Sequence, residues 1–108
     1  MTFPFRIETE ASVELEEAAT WYEERRPGLD GEFLEAVDEA LAFIARWPHS
    51  GSPVPDVPAD LLIRRTPVRR FPYHVVYLEI PGAIRILAFA HDRRSPGYWS
   101  ARATRYPF

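Results

Sequence analysis

The chain has no cysteine and no lysine. Without cysteine there are no disulfides, and a zinc site would have to use histidine and carboxylate alone. Without lysine, all thirteen cations are arginines, whose planar fork of donors matches phosphate and carboxylate in a bidentate way. No apolar run approaches the roughly 20 residues of a membrane span. The start, Met1-Thr2-Phe3-Pro4-Phe5-Arg6, lacks the basic region and long apolar stretch of a signal peptide. The expected compartment is therefore the cytoplasm, with no membrane partner. Histidines at 49, 74 and 91 lack metal-ligand spacing, so no metal and no cofactor are expected. There is no glycine-rich phosphate loop, and Ser12, Ser50, Ser52, Ser95 and Ser100 sit in no nucleophile motif.

What is present points to one folded domain over residues 1–108. That length supports a single core, and 46% hydrophobic with 27% charged residues is a globular composition. The net charge of −3 hides a reversal near the middle. Residues 1–60 carry fourteen acids and four arginines, a local charge of −10. Residues 61–108 carry nine arginines and two acids, Glu79 and Asp92, a local charge of +7. A basic half suits a phosphate-bearing or acidic partner, although charge runs are often only solvated faces.

Phe3 to Ile7 reads as a short strand. Thr9 is a candidate helix cap, with Glu10 in the first turn. Ala11, Leu15, Ala18 and Tyr22 then recur at helical spacing until Arg25, Arg26 and Pro27-Gly28 end the helix. A second helix follows, with Asp30 a candidate cap and an apolar stripe of Phe33/Leu34, Val37, Ala40/Leu41, Ile44 and Trp47 before Pro48. So short a connection predicts an antiparallel hairpin. His49 to Asp60 reads as a loop. The apolar period then changes to two. Leu61 to Val68 is strand-like, with Pro67 pointing to an edge or bulge. Tyr73 to Ile80 is a strand with Tyr73, Val75 and Tyr77 on one face and His74, Val76 and Leu78 on the other. Pro81-Gly82 turns the chain into an antiparallel partner, Ile84 to Ala90, whose apolar run predicts an interior strand. Strict alternation would put Arg85, Leu87, Phe89 and His91 on one face. The tail from Arg93 is polar, aromatic and basic. The fold class is α+β, in the order β-α-α-β-β-β, with a helix hairpin on a small, mainly antiparallel sheet.

The segment His91-Asp92-Arg93-Arg94-Ser95-Pro96-Gly97-Tyr98-Trp99 concentrates the chemistry-bearing residues. A histidine can move protons near neutrality. Adjacent arginines can hold a phosphate, and Tyr98 and Trp99 can stack on an unpaired base. Arg64, Arg65, Arg69, Arg70 and His74 could complete a basic face. Such a set suits RNA cleavage, with a ribose 2′-hydroxyl attacking its own phosphate. Each residue also has a packing alternative. His91 can bond a strand-end carbonyl, Tyr98 and Trp99 can pack on the sheet, and His74 can be a sheet-surface residue. The helix acids read as a solvated face.

The β-α-α-β-β-β order resembles the RelE/ParE toxin superfamily of type II toxin–antitoxin systems. So do Ala18-Ala19-Thr20-Trp21-Tyr22, Pro27-Gly28-Leu29, Phe33 and Pro48. Arg69-Arg70-Phe71-Pro72-Tyr73-His74-Val75-Val76-Tyr77 and the His91 to Trp99 segment resemble its ParE-like plasmid-stabilisation members. The resemblance runs from about Phe5 to Arg102. It implies a growth-inhibiting toxin bound by a cognate antitoxin in a hetero-oligomer. ParE-like members poison DNA gyrase; RelE-like members cut mRNA on the ribosome. Under the nuclease alternative the resemblance implies catalytic roles for His91, Arg93, Arg94 and Trp99 (or Tyr98). Arg64, Arg69, His74 and Tyr98 are the expected binding residues. The nucleases usually carry an arginine where this chain has His74, and several use lysines. The resemblance is therefore nearer the ParE side, with gyrase the expected target and mRNA cleavage the alternative. An acidic, amphipathic antitoxin segment is expected to contact Arg64, Arg69, Arg93 or Arg94.

Overall fold

A computed structural model describes residues 4–55, 57 and 61–104. The expected strand start at Phe3 and loop end at Asp60 lie outside the described residues. Strand β1 (Phe5–Ile7) leads into helices α1 (Thr9–Arg25) and α2 (Leu29–Arg46). Strands β2 (Ser52–Pro53), β3 (Ile63–Val68), β4 (Tyr73–Ile80) and β5 (Ala83–His91) follow, then a short helix α3 (Ser100–Ala103). The five strands form one sheet in the order β1-β5-β4-β3-β2. Among the described residues only the β1–β5 pair is parallel. The predicted α+β architecture is the observed one, with β2 and α3 as additions.

The hairpin forms because its connection is constrained at both ends. Gly28 holds φ at 89°, a left-handed conformation that suits glycine. The Glu23 carboxylate accepts from the Gly28 N–H at 2.9 Å and the Asp30 N–H at 3.3 Å. It thereby satisfies donors at the start of α2. Asp30 is not the cap; it lies inside the first turn. Thr9 is likewise the first helical residue, and Glu8 precedes it as the N-cap.

The hairpin covers the front of the sheet. Ala11, Ala18 and Tyr22 of α1 and Phe33, Val37 and Ile44 of α2 pack on Val75, Tyr77, Ile84, Ile86 and Phe89. Small residues at 11 and 18 let α1 lie close to the sheet. At one end of this core, Phe33 meets Tyr22, Phe71 and Tyr73 with ring centroids 5.0, 5.2 and 5.3 Å apart. The back of the sheet has its own core of Ile63, Val76, Leu78, Leu87, Ala88, Ala90, Trp99 and Ala103.

The expected alternation along β5 fails at one point. Val76 pairs with Ala88 but Tyr77 pairs with Ile86, so Leu87 is an extra residue. A bulge of this kind shifts the faces by one. Arg85 and Leu87 therefore serve the back, while Phe89 joins the front core and His91 packs beside Tyr73. Pro67 sits on β3 beyond its two-residue pairing with β2, where the outer edge needs no donor.

Within the expected loop, Gly51 packs against Tyr77. A β-carbon there would stand 2.4 Å from the tyrosine hydroxyl. That hydroxyl donates to the Pro48 carbonyl at 2.8 Å and accepts from the Gly51 N–H at 3.2 Å. Among the described residues no helix is long and apolar enough to cross a membrane.

Candidate functional site

The segment after β5 folds back on itself through local bonds. The Arg93 N–H donates to His91 Nδ1 at 3.0 Å, and the Arg94 N–H donates to the His91 carbonyl at 3.0 Å. The Asp92 N–H reaches the Pro72 carbonyl at 2.9 Å. Gly97, with φ at 83°, turns the chain into Tyr98 and α3. Residues 91–98 thus form a ridge at the end of the sheet, with a cavity on each side.

The front cavity is an open cleft of about 730 Å³ between α1 and this ridge. Its walls are rich in aromatics: Trp21, Tyr22, Tyr73, Phe89 and Tyr98. Glu14, Glu17, His91 and Arg94 supply its polar groups. That size and lining fit a binding cleft. Trp21 is half exposed on one bank, with Arg25 over its ring at 3.9 Å. On the other bank Arg94 lies 3.8 Å over Tyr98.

Glu14 anchors the base of the cleft. Its carboxylate accepts from Tyr98 Oη at 2.6 Å, from Arg102 at 3.0 and 3.2 Å, and from the Phe89 N–H at 3.2 Å. Arg102 also donates to the Leu87 carbonyl at 2.9 Å. These side chains satisfy the outer edge of β5 beyond Ile86, where β1 no longer pairs with it. Burial, then the Glu14 carboxylate, push the Tyr98 phenol far above its ordinary value. Burial also raises the Tyr22 and Tyr73 phenols, and nearby negative charge adds to it, from Tyr73 and Asp92 at Tyr22 and from Glu14 at Tyr73. The cleft therefore presents neutral phenols.

The structure separates the predicted residues. His91, Arg94 and Tyr98 line the front cleft together. Arg93 is exposed on the ridge. Trp99 is only 3% exposed and belongs to the back core, so its ring is packed rather than presented. His91 Nδ1 is occupied by the Arg93 N–H, and its ring meets Tyr73 edge-on. His74 pairs with Asp92 on the back. Arg69 is exposed in the β3–β4 turn. Arg64 is remote from the ridge: its Nη1 donates to the Gly51 carbonyl at 2.9 Å, and it lines a separate cavity with Pro48 and Tyr77.

The basic half is also less free than its charge suggests. Arg85 is 1% exposed, pairs with Glu8 at 3.1 Å, and donates to the Ala103 and Arg102 carbonyls. Arg102 is held by Glu14. Glu14 and Arg85 are the residues that a charge-based reading passes over. Signals for both exist. Glu14 lies three positions after Ala11 and four before Ala18, on the buried face of α1. Arg85 sits inside a run that is buried on both faces. Among the described residues no group of three or more histidines and acids is placed to hold a metal.

A family model described as ParE toxin of type II toxin-antitoxin system, parDE, matches residues 5–96. No curated protein matches the chain with significance. Among solved structures the chain is similar to one from the chromosomal ParDE TA system of P. aeruginosa, with a TM-score of 0.69 at 14% sequence identity. The match covers 83% of this chain and 96% of that one. At that identity the likeness is one of fold.

Proposed function

The chain belongs to the ParE toxin family of type II toxin–antitoxin systems, and from that premise we propose that it is the growth-inhibiting toxin of such a pair. A cognate antitoxin silences it, and its target in the cytoplasm is DNA gyrase. The observation that carries this reading is the family match over residues 5–96, which spans the helix hairpin, the sheet and the start of the ridge. The solved ParDE neighbour supports the antitoxin half of it. The arrangement of the ridge favours binding over RNA cleavage. Trp99 is in the core, Tyr98 is tied to Glu14, and among the described residues His91 has no carboxylate partner, its Nδ1 accepting from the Arg93 N–H.

The antitoxin surface is the front cleft. An amphipathic segment would place apolar side chains on Tyr22, Tyr73 and Phe89 and an acid on Arg94. Arg93 stands beside it on the ridge. Arg64, tied to Gly51, is not part of this surface.

Two measurements test the reading. Expression of the toxin alone should produce gyrase-linked DNA breaks while mRNA stays intact, and a tagged inactive variant should recover gyrase subunits. Codon-spaced mRNA breaks with ribosomes recovered instead would transfer the assignment to the RelE-like alternative. Reversing Arg93 and Arg94 to Glu should weaken the antitoxin complex by about tenfold or more. Unchanged affinity would remove the ridge from the antitoxin surface.

A further inference from the structure

Behind the ridge, on the sheet face opposite the helix hairpin, a second cavity of about 100 Å³ is bordered by Arg65, His74, Asp92, Arg94 and Ser95. Part of its wall is apolar, from Val76 and Ala90. Pairing of β3 with β4 sets Arg65 opposite Val76 and Pro67 opposite His74, so Arg65 and His74 are diagonal neighbours on one face. His74 Nδ1 lies 2.5 Å from Asp92 Oδ1. A carboxylate only accepts, so Nδ1 is the donor and Nε2 is the nitrogen available to a ligand. Stacking on Tyr98 holds the Arg94 guanidinium in place without using its N–H donors. Neither Arg65 nor Arg94 has an ion-pair partner among the described residues. The one carboxylate in the cavity is turned to Nδ1.

We propose that this cavity binds a single phosphoryl group, as free phosphate or as the end of a phosphate monoester, through Arg65, Arg94 and His74 Nε2. Two guanidinium forks and an imidazole supply the several charge-assisted donors that a tetrahedral dianion takes. The volume admits the phosphoryl head and leaves an attached group in solvent. In the bound form the imidazole donates from both nitrogens, to Asp92 and to the phosphate, and so carries a positive charge. Asp92 is a positioning residue, which fixes the ring so that Nε2 faces the cavity. The site shares Arg94 with the proposed antitoxin surface, but phosphate binding to the free chain needs neither gyrase nor an antitoxin.

The test is an NMR titration of the full chain, following the imidazole nitrogens, with inorganic phosphate and, separately, methyl phosphate. Saturable millimolar binding that moves His74 Nε2 is expected. Arg65→Ala is the cleanest variant, because Arg65 is exposed and lines this cavity but not the front cleft. It should weaken binding by about tenfold, and Asp92→Asn should weaken it while the fold stays intact by circular dichroism. Methyl phosphate binding comparable to phosphate assigns the site to monoester ends. Binding of phosphate alone assigns it to the free anion. No saturable shift with either probe, saturable binding that leaves the His74 nitrogens unmoved, or affinity unchanged in Arg65→Ala would overturn the proposal.

Discussion

The front of the sheet carries two helices, of 17 and 18 residues, while the back carries a helix of four residues and the ring of Trp99. The front cover buries two apolar stripes and an aromatic cluster, and hydrophobic burial suffices to hold it. The back cover is too short for that. It is fastened by polar ties: Arg85 to the Arg102 and Ala103 carbonyls, and Arg102 to Glu14 and the Leu87 carbonyl. Its own apolar contribution is small, mainly Trp99 and Ala103, so a few directional, buried contacts add to its hold. Losing one such contact should therefore matter more at the back than its size suggests.

The largest test of this contrast is Arg85→Ala. It leaves Glu8 without that buried partner and frees two carbonyls beneath α3. Breaking a buried pair from one side costs about 3–5 kcal/mol, which urea denaturation would measure. Trp99 should lose its buried emission first, because it is 3% exposed while Trp21 and Trp47 are 50% and 55% exposed. If the helices melted before Trp99 moved, the view of Arg85 as fastener of the back would be wrong.

A smaller effect is expected from Glu14→Ala, which strips acceptors from Tyr98, Arg102 and the Phe89 N–H. Both members of the Glu14–Arg102 pair are 15% exposed, so screening by water does little to soften the loss. About 2–3 kcal/mol is expected, together with faster hydrogen exchange at Phe89.

Tyr98→Phe should cost about 1–2 kcal/mol at neutral pH, by removing one hydrogen bond to a charged acceptor. It also sharpens the pH behaviour. The folded state holds the phenol proton above the ordinary value near 10, where the unfolded chain releases it. Stability from this group is complete below that pH and is lost as pH rises past it. Tyr22, Tyr73 and Tyr77 shift the same way. The wild type should lose stability above about pH 10, and the variant should lose it less steeply. An unchanged slope would remove Tyr98 from this account.

The smallest effect belongs to the surface. Arg26 and Glu32 meet at 2.8 Å but are 56% and 41% exposed. Glu32→Gln should change stability by less than about 0.5 kcal/mol. A larger loss would mean that distance, not burial, ranks these ion pairs.

Much of this molecule was legible in the chain itself. Ala11, Leu15, Ala18 and Tyr22 repeat at helical spacing because one face of α1 must be apolar, and the same logic holds for α2. Tyr73, Val75 and Tyr77 alternate with Val76 and Leu78 because β4 is buried on both sides. Local repeats of this kind need no knowledge of what lies across the sheet. The charge reversal and the ridge motif were equally plain, and they led to the family.

Only the tertiary structure decided which of those charges are free. Arg85 and Arg102 look the same in sequence as Arg93 and Arg94, yet the first pair fastens the fold and the second stands at a surface. Nor could any local pattern place Leu87 as the extra residue in β5, because a bulge is a mismatch between two strands. The Glu14–Arg102 and His74–Asp92 contacts span 88 and 18 positions. Such pairs are specified by how helices, sheet and tail meet in space, which composition and period do not encode.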